Sequence, residues 1–291
     1  MVEPAKTVVV TGANNGIGLV TCLELAGAGW DVIGTARSKA KAATIEVAAK
    51  DRDLSLRTVV CQVDSAASCE RAFAEIATIT GGGPWAVVNN AGFAQSGAVE
   101  DVSDAQARAQ FETNVVAPMR IARLVLPGMR ERGAGRIVNI SSVAGRLSTP
   151  LMGWYCASKH ALEAVSDALR MEVEADGIRV VLVEPGMFGT DIWSAAKEGR
   201  FPEPSHPRYA AAYARGEAMS SQSDRLPDPV WVARTVRVAL SNPVPLARYV
   251  VGVDAVGGIL AETLVPTAVT DYLKSVGAGL KSLPVKLPFR R

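Results

Sequence analysis

The chain has 291 residues, 48% of them apolar and 21% charged, with 31 Lys and Arg against 29 Asp and Glu. That balance supplies an ample core and excludes an intrinsically disordered chain; without a basic block interleaved with aromatics, it also argues against nucleic-acid binding. The length exceeds the usual prior of roughly 150 residues per domain, yet a single large α/β sheet often reaches it, so one domain is expected.

The opening MVEPAKTVVVTG lacks a charged leader followed by a long apolar core, and no run of 18 apolar residues occurs. Neither a signal peptide nor a membrane span is expected. Cys22, Cys61, Cys69 and Cys156 show no CxxC spacing and are read as reduced thiols of a cytoplasmic protein. His160 and His206 lie far apart, so neither a metal site nor a histidine-dependent triad is expected.

Strand-like runs occupy 6–11, 31–36, 56–63, 85–90, 136–141, 178–185 and, more weakly, 247–252. Several are almost continuously apolar, the pattern of parallel strands covered on both faces. Helical patterns fall between them at about 16–28, 38–50, 66–79, 103–131, 153–175, 228–241 and 258–275. Strict alternation implies a single-domain α/β fold of Rossmann type, a doubly wound parallel sheet of about seven strands with helices on both faces. The stretch 187–227, with four prolines and no strand period, is longer than a connector requires and is read as a substrate lid. Residues 278–291 read as a basic, proline-broken surface tail.

VVVTGANNGIG places Gly12, Gly16 and Gly18 between the first strand and the first helix. Glycines there let the backbone approach a pyrophosphate, whose charge is held by amides and the positive end of the helix. Glycines also serve tight turns for steric reasons alone, so the position after a buried strand carries the functional reading. The second strand ends in TARSKAK, with Arg37 where an NAD-binding unit places an acid, and Lys39 and Lys41 beyond it. A guanidinium can clasp a 2′-phosphate that a carboxylate would repel, so NADP(H) is preferred over NAD(H); a solvated cationic turn is the plain alternative.

The glycine spacing resembles that of the classical short-chain dehydrogenases/reductases, whose cofactor turn reads T-G-x-x-x-G-x-G, as Thr11 to Gly18 do. The resemblance implies cofactor contacts from Thr11, Gly12, Asn14, Asn15, Gly16, Ile17 and Gly18. Further along the chain it implies Val63 and Asp64 against the adenine, and Asn90, Ala91 and Gly92 of the NNAG motif. It also supplies a catalytic set, Asn114, Ser142, Tyr155 and Lys159, all filled by the expected residue types, with Ser142 13 positions before Tyr155. After the sixth strand, EPGMFGTD resembles the family's P-G-x-x-x-T segment, with Pro185, Gly186, Phe188 and Thr190 near the nicotinamide; Phe188 stands where a β-branched residue is more usual.

In YCASKHAL, Tyr155 and Lys159 are four apart, on one face of a helix. Tyrosine titrates near 10, so proton transfer at neutral pH needs help. A lysine cation about 4 Å away contributes on the order of 4 kcal/mol at an effective dielectric near 20, a shift of about 3 units. Lys159 is also expected to hold the nicotinamide ribose, and Ser142 to orient the substrate carbonyl. Asn114 precedes Pro118 by four residues, so its carbonyl loses a helical partner and a kink is expected. In the family this carbonyl holds a water of the proton relay.

Trp193, Tyr209, Tyr213 and Met219 in the lid either line an apolar cavity or pin the loop to the core. The cofactor turn and RYVVG-D (248–254) are most similar to the 17-beta-hydroxysteroid dehydrogenase-like and retinol-dehydrogenase-like branch, which implies a bulky ketone, aldehyde or alcohol as substrate. On the Tyr155 helix, Leu162, Leu169 and Val173 form one stripe and Ala157, Ala161, Ala164 and Ala168 another. Two stripes imply two packing partners, the second of them either within the chain or in another subunit of a homodimer or homotetramer. The rival reading from another class is a non-catalytic NADP(H)-binding regulator on the same fold.

Overall fold

The computed structural model describes residues 6–190, 192, 202–220 and 225–281. Seven strands, β1 (Thr7–Val10), β2 (Asp31–Ala36), β3 (Arg57–Val60), β4 (Ala86–Asn89), β5 (Gly135–Ile140), β6 (Ile178–Pro185) and β7 (Arg248–Val251), make one sheet in the order β3-β2-β1-β4-β5-β6-β7. All neighbours are parallel. Parallel neighbours require crossovers, which the helices provide. They are α1 (Gly16–Gly27), α2 (Lys39–Lys50), α3 (Ala66–Thr80), α4 (Asp104–Phe111), α5 (Ala117–Arg132), α6 (Gly153–Glu172), α7 (Ala210–Ser220), α8 (Val230–Ser241), α9 (Val253–Leu264) and α10 (Thr267–Gly277). The strand order reverses between β1 and β4, which opens a crevice at their carboxyl ends.

The unbroken apolar runs follow from burial on both faces. Val8, Val9 and Val10 have no exposed surface. Side chains alternate along a strand, so Val8 and Val10 join Cys22 and Leu25 of α1 and Val232 and Val236 of α8. Val9 points the other way, to Phe73 and Ile76 of α3 and Ile121 and Val125 of α5. At the sheet's centre, Asn89 and Asn139 are register partners. Asn89 Nδ2 donates to Asn139 Oδ1, and Asn139 Nδ2 to Ser166 Oγ of α6, both at 2.8 Å. A one-residue slip would bury these amides unpaired, so the chain of bonds fixes α6 against β4 and β5.

Two helical expectations change. The pattern over 103–131 divides into α4, a π-helical turn over Glu112–Val116, and α5. The Ala117 amide donates to Glu112 O, five residues back, and Pro118 beside it has no amide hydrogen to continue the α ladder. The pattern over 258–275 is two helices starting at Val253, because Pro266 ends one and caps the next. The segment 187–227, read from sequence as a lid without a strand period, holds a helix, α7. Trp193, the side chain of Met219 and residues 282–291 lie outside the described residues.

Leu162 of α6 and Val173 at its C-terminal cap are buried, whereas Ala157, Ala164 and Ala168 are exposed and Ala161 half-buried. The four cysteines are buried and free of disulfides. No helix among the described residues is long and apolar enough to cross a membrane.

Candidate active site

The turn from β1 into α1 is held against the end of β4. Thr11 Oγ1 accepts from the amides of Asn90 and Ala91, each at 3.0 Å, while Asn90 Nδ2 donates to Thr11 O at 2.9 Å and Gly12 O at 3.2 Å. This closeness is why two of the glycines are required. Gly12 has φ +62°, and a Cβ there would meet Ala91 Cα at 2.8 Å; a Cβ on Gly18 would lie 2.4 Å from both Asn90 Nδ2 and Gly12 O. At the start of α1, Asn15 makes no side-chain capping bond, whereas Ser38, Ser65 and Ser103 cap α2, α3 and α4. The first amides of α1 are thus left for an anion.

These amides border a cavity of about 830 Å³ along the carboxyl ends of the strands. Gly12, Asn14, Asn15, Gly16 and Ile17 form its middle, with Asn90, Ala91 and Gly92 opposite. Arg37, Lys41, Val63 and Asp64 line one end, and Arg37 is exposed there. Lys39 is not part of the lining, and Thr11 and Gly18 stand behind the wall they shape. The volume lies within the range of cofactor sites, and the open helix terminus and glycine cradle fit a dinucleotide pyrophosphate.

Ser142, Tyr155 and Lys159 line the other end, with Pro185, Gly186, Phe188 and Thr190 along its edge. Ser142 leaves β5 and accepts the Ala144 amide at 3.1 Å. Tyr155 and Lys159 project from α6, both buried. Lys159 Nζ donates to Ile140 O at 2.8 Å and lies 5.8 Å from the Tyr155 ring centroid. Burial pushes Tyr155 up to about 12, and a hydrogen bond with Ser142 works the other way. Burial lowers Lys159 to about 8, opposed by the charge of Glu163. The expected lowering of Tyr155 by Lys159 is therefore absent from the protein alone, because the ammonium is drawn to a strand carbonyl and desolvation outweighs what remains.

Asn114 does not reach the cavity. It sits in the π turn, buried, and its side chain accepts from the Phe93 amide (3.2 Å) and donates to Phe93 O and Ser158 Oγ (both 3.1 Å). Ser158 Oγ in turn donates to Tyr155 O at 2.7 Å. The four predicted residues are thus joined by structure, three in the wall and one behind it.

Comparison with known proteins bears on this arrangement. The family model described as short chain dehydrogenase matches residues 6–200. The chain belongs to the short-chain dehydrogenase family. This short-chain dehydrogenase is 35% identical over 269 residues to an uncharacterized oxidoreductase, YbbO, of Escherichia coli (strain K12), covering 92% of this chain and 93% of that one. It is 33% identical over 271 residues to the NADPH-dependent 3-dehydrocapnine reductase of Ornithobacterium rhinotracheale, covering 91% and 94%. A crystal structure of a short-chain dehydrogenase from Streptomyces avermitilis superposes with a TM-score of 0.77 at 34% identity, covering 94% of this chain and 97% of that one. The protein is accordingly an oxidoreductase with a nucleotide-cofactor site.

In this dehydrogenase, neither described lid tyrosine faces the cavity. Tyr213 OH accepts the Ala98 amide at 2.7 Å and donates to Asp101 at 2.5 Å, and Tyr209 OH donates to Glu100. Both pin the lid to the loop between β4 and α4. Phe188 is also anchored, buried in the core cluster that includes Val232 and Val251.

Sequence reading missed a set of charged residues behind the wall. Glu184 and Glu163 are buried with Arg248 between them, Arg248 Nε lying 3.0 Å from Glu163 Oε2 and 3.1 Å from Glu184 Oε1. A glutamate inside an apolar strand, IRVVLVEP, and one four residues after Lys159 were the available signals. Asp254 at the start of α9 was quoted only as a branch marker; its Oδ2 accepts the Met187 amide at 2.7 Å, fastening the turn after β6.

Proposed function

We propose that this short-chain dehydrogenase interconverts a ketone or aldehyde and the corresponding alcohol, using NADP(H) in preference to NAD(H). The carrying observation is that Ser142, Tyr155 and Lys159 converge at one end of a single cavity whose other end holds Arg37, with the open helix terminus between them. The bound cofactor supplies or receives the hydride. The 3-dehydrocapnine reductase, by its name NADPH-dependent, supports the cofactor preference.

In this reading Tyr155 is the general acid and base. Its raised affinity for the proton keeps it neutral across physiological pH, the form needed to protonate a developing alkoxide. Ser142 orients the carbonyl and shares the tyrosine's proton. Lys159, charged below about 8, faces the cofactor ribose and offsets negative charge on Tyr155 in the reverse direction. Asn114 buttresses Tyr155 through Ser158, and its backbone carbonyl in the π turn would hold the water that continues the relay. A bulky apolar substrate under the lid and a homodimer or homotetramer complete the proposal, by analogy with the 17-beta-hydroxysteroid and retinol dehydrogenase-like branch.

The test is a panel of ketones, aldehydes and alcohols assayed with NADPH and NADP. Tyr155→Phe is expected to lower turnover about a hundredfold or more while NADPH affinity, read by fluorescence, changes little. Wild-type protein that binds NADPH but transforms nothing in a broad panel would favour the regulator reading instead.

A further inference from the structure

Glu163 follows Lys159 by one helical turn and Tyr155 by two, so the three side chains lie along the face of α6 that packs on the sheet. All three are buried. The charged groups around Glu163 come from every neighbouring element. They are Lys159, Asp167 and Arg170 on α6, Glu184 on β6, Arg248 on β7, and Arg146 from the turn after β5. Arg248 bonds Glu163, Glu184 and Asp167; Arg146 Nη1 reaches Glu184 Oε1 at 3.3 Å, and Arg170 reaches Asp167 at 2.6 Å. This leaves Glu163 Oε1 without a hydrogen-bond partner among the described residues, and Glu184 Oε2 as well.

A buried carboxylate oxygen with no donor is costly unless positive charge stands nearby. Arg248 serves one edge of Glu163, and Lys159 is the cation one turn back on the same helix face. We infer that Glu163 is a positioning residue that acts through Lys159, keeping the buried ammonium charged where the reaction needs it, while Arg248 holds the carboxylate in place. The inference rests on the proposed role of Lys159. Direction agrees with geometry: burial lowers the proton affinity of Lys159, and the Glu163 charge raises it. Burial, then the charge of Glu163, raise the proton affinity of Glu184, the carboxyl that shares Arg248 with Glu163.

The test is the pH profile of kcat. Deprotonation of Lys159 sets the alkaline limb, and Glu163→Gln is expected to move it about one unit lower, which makes kcat roughly fivefold smaller at pH 8 and nearly unchanged at pH 6. Glu163→Asp keeps the charge and should restore the wild-type limb. A limb in Glu163→Gln that coincides with wild type overturns the inference. A second measurement needs neither that variant nor turnover. The ¹³Cε resonance of Lys159 should titrate at lower pH in Glu163→Leu than in wild type, because the carboxylate charge that favours the ammonium is gone. Identical titrations would also overturn it. Should the wild type transform no substrate, the oxidoreductase mechanism fails, yet this titration still decides whether Glu163 acts on Lys159.

Discussion

Arg37 follows the end of β2, exposed and lining the cavity wall with Lys41. A guanidinium there can make two charge-assisted hydrogen bonds to a 2′-phosphate, and an aspartate would add repulsion. Arg37→Asp is therefore expected to weaken NADPH at least about tenfold more than NADH in fluorescence titrations; equal losses for both would remove the assignment. The expected preference could be framed from sequence alone because it depends on one residue just past the end of one strand. Lys159 was different. Its spacing from Tyr155 is a property of the helix, but its ammonium's attachment to Ile140 O is set by a strand 19 residues earlier. The burial of both groups, which reverses the expected direction for Tyr155, comes from the sheet and loops packed over α6 and has no local signature.

Elements were read well where a periodic pattern ends in a strong local signal, and less well where backbone chemistry interrupts it. All seven strands fall within one or two residues of their apolar runs except β3, which ends three residues sooner, at Val60. The long pattern before β5 was correct as helix, yet its π turn depends on Pro118 and on Asn114 being drawn to Phe93 and Ser158. In α9 and α10, Pro266 was the missed stop signal. The lid shows what an element gains from tertiary partners. Tyr213 of α7 ties it to Ala98 and Asp101, more than a hundred residues away in sequence. Tyr213→Phe removes both bonds, about 1 kcal/mol of local restraint, so amide exchange at Ala98 is expected to quicken roughly fivefold while the core strands exchange as before. Unchanged exchange at Ala98 would show that the tie does not hold the lid.

For the whole molecule, the largely exposed alanine strip of α6 is one feature that packing within the chain does not account for. Small side chains let a second helix approach closely, and we propose that this strip packs on its counterpart in another subunit. Ala164→Arg places a charge at its centre without disturbing the buried face. Sedimentation is expected to show a dimer or tetramer for wild type and a smaller species for the variant, at similar thermal stability; two monomers would mean that the strip is only surface. Across the molecule, the sequence by itself determined the alternation of strand and helix, the glycine turn, Arg37, and the Tyr155–Lys159 pair. Each is carried by residues within a few positions of one another, where spacing alone dictates geometry. Only the tertiary structure decided which charges stand behind the cavity wall. Arg248 meets Glu163 across 85 positions and Arg146 meets Glu184 across 38. No periodicity links residues so far apart; the sheet order brings them together, and burial then makes their pairing matter.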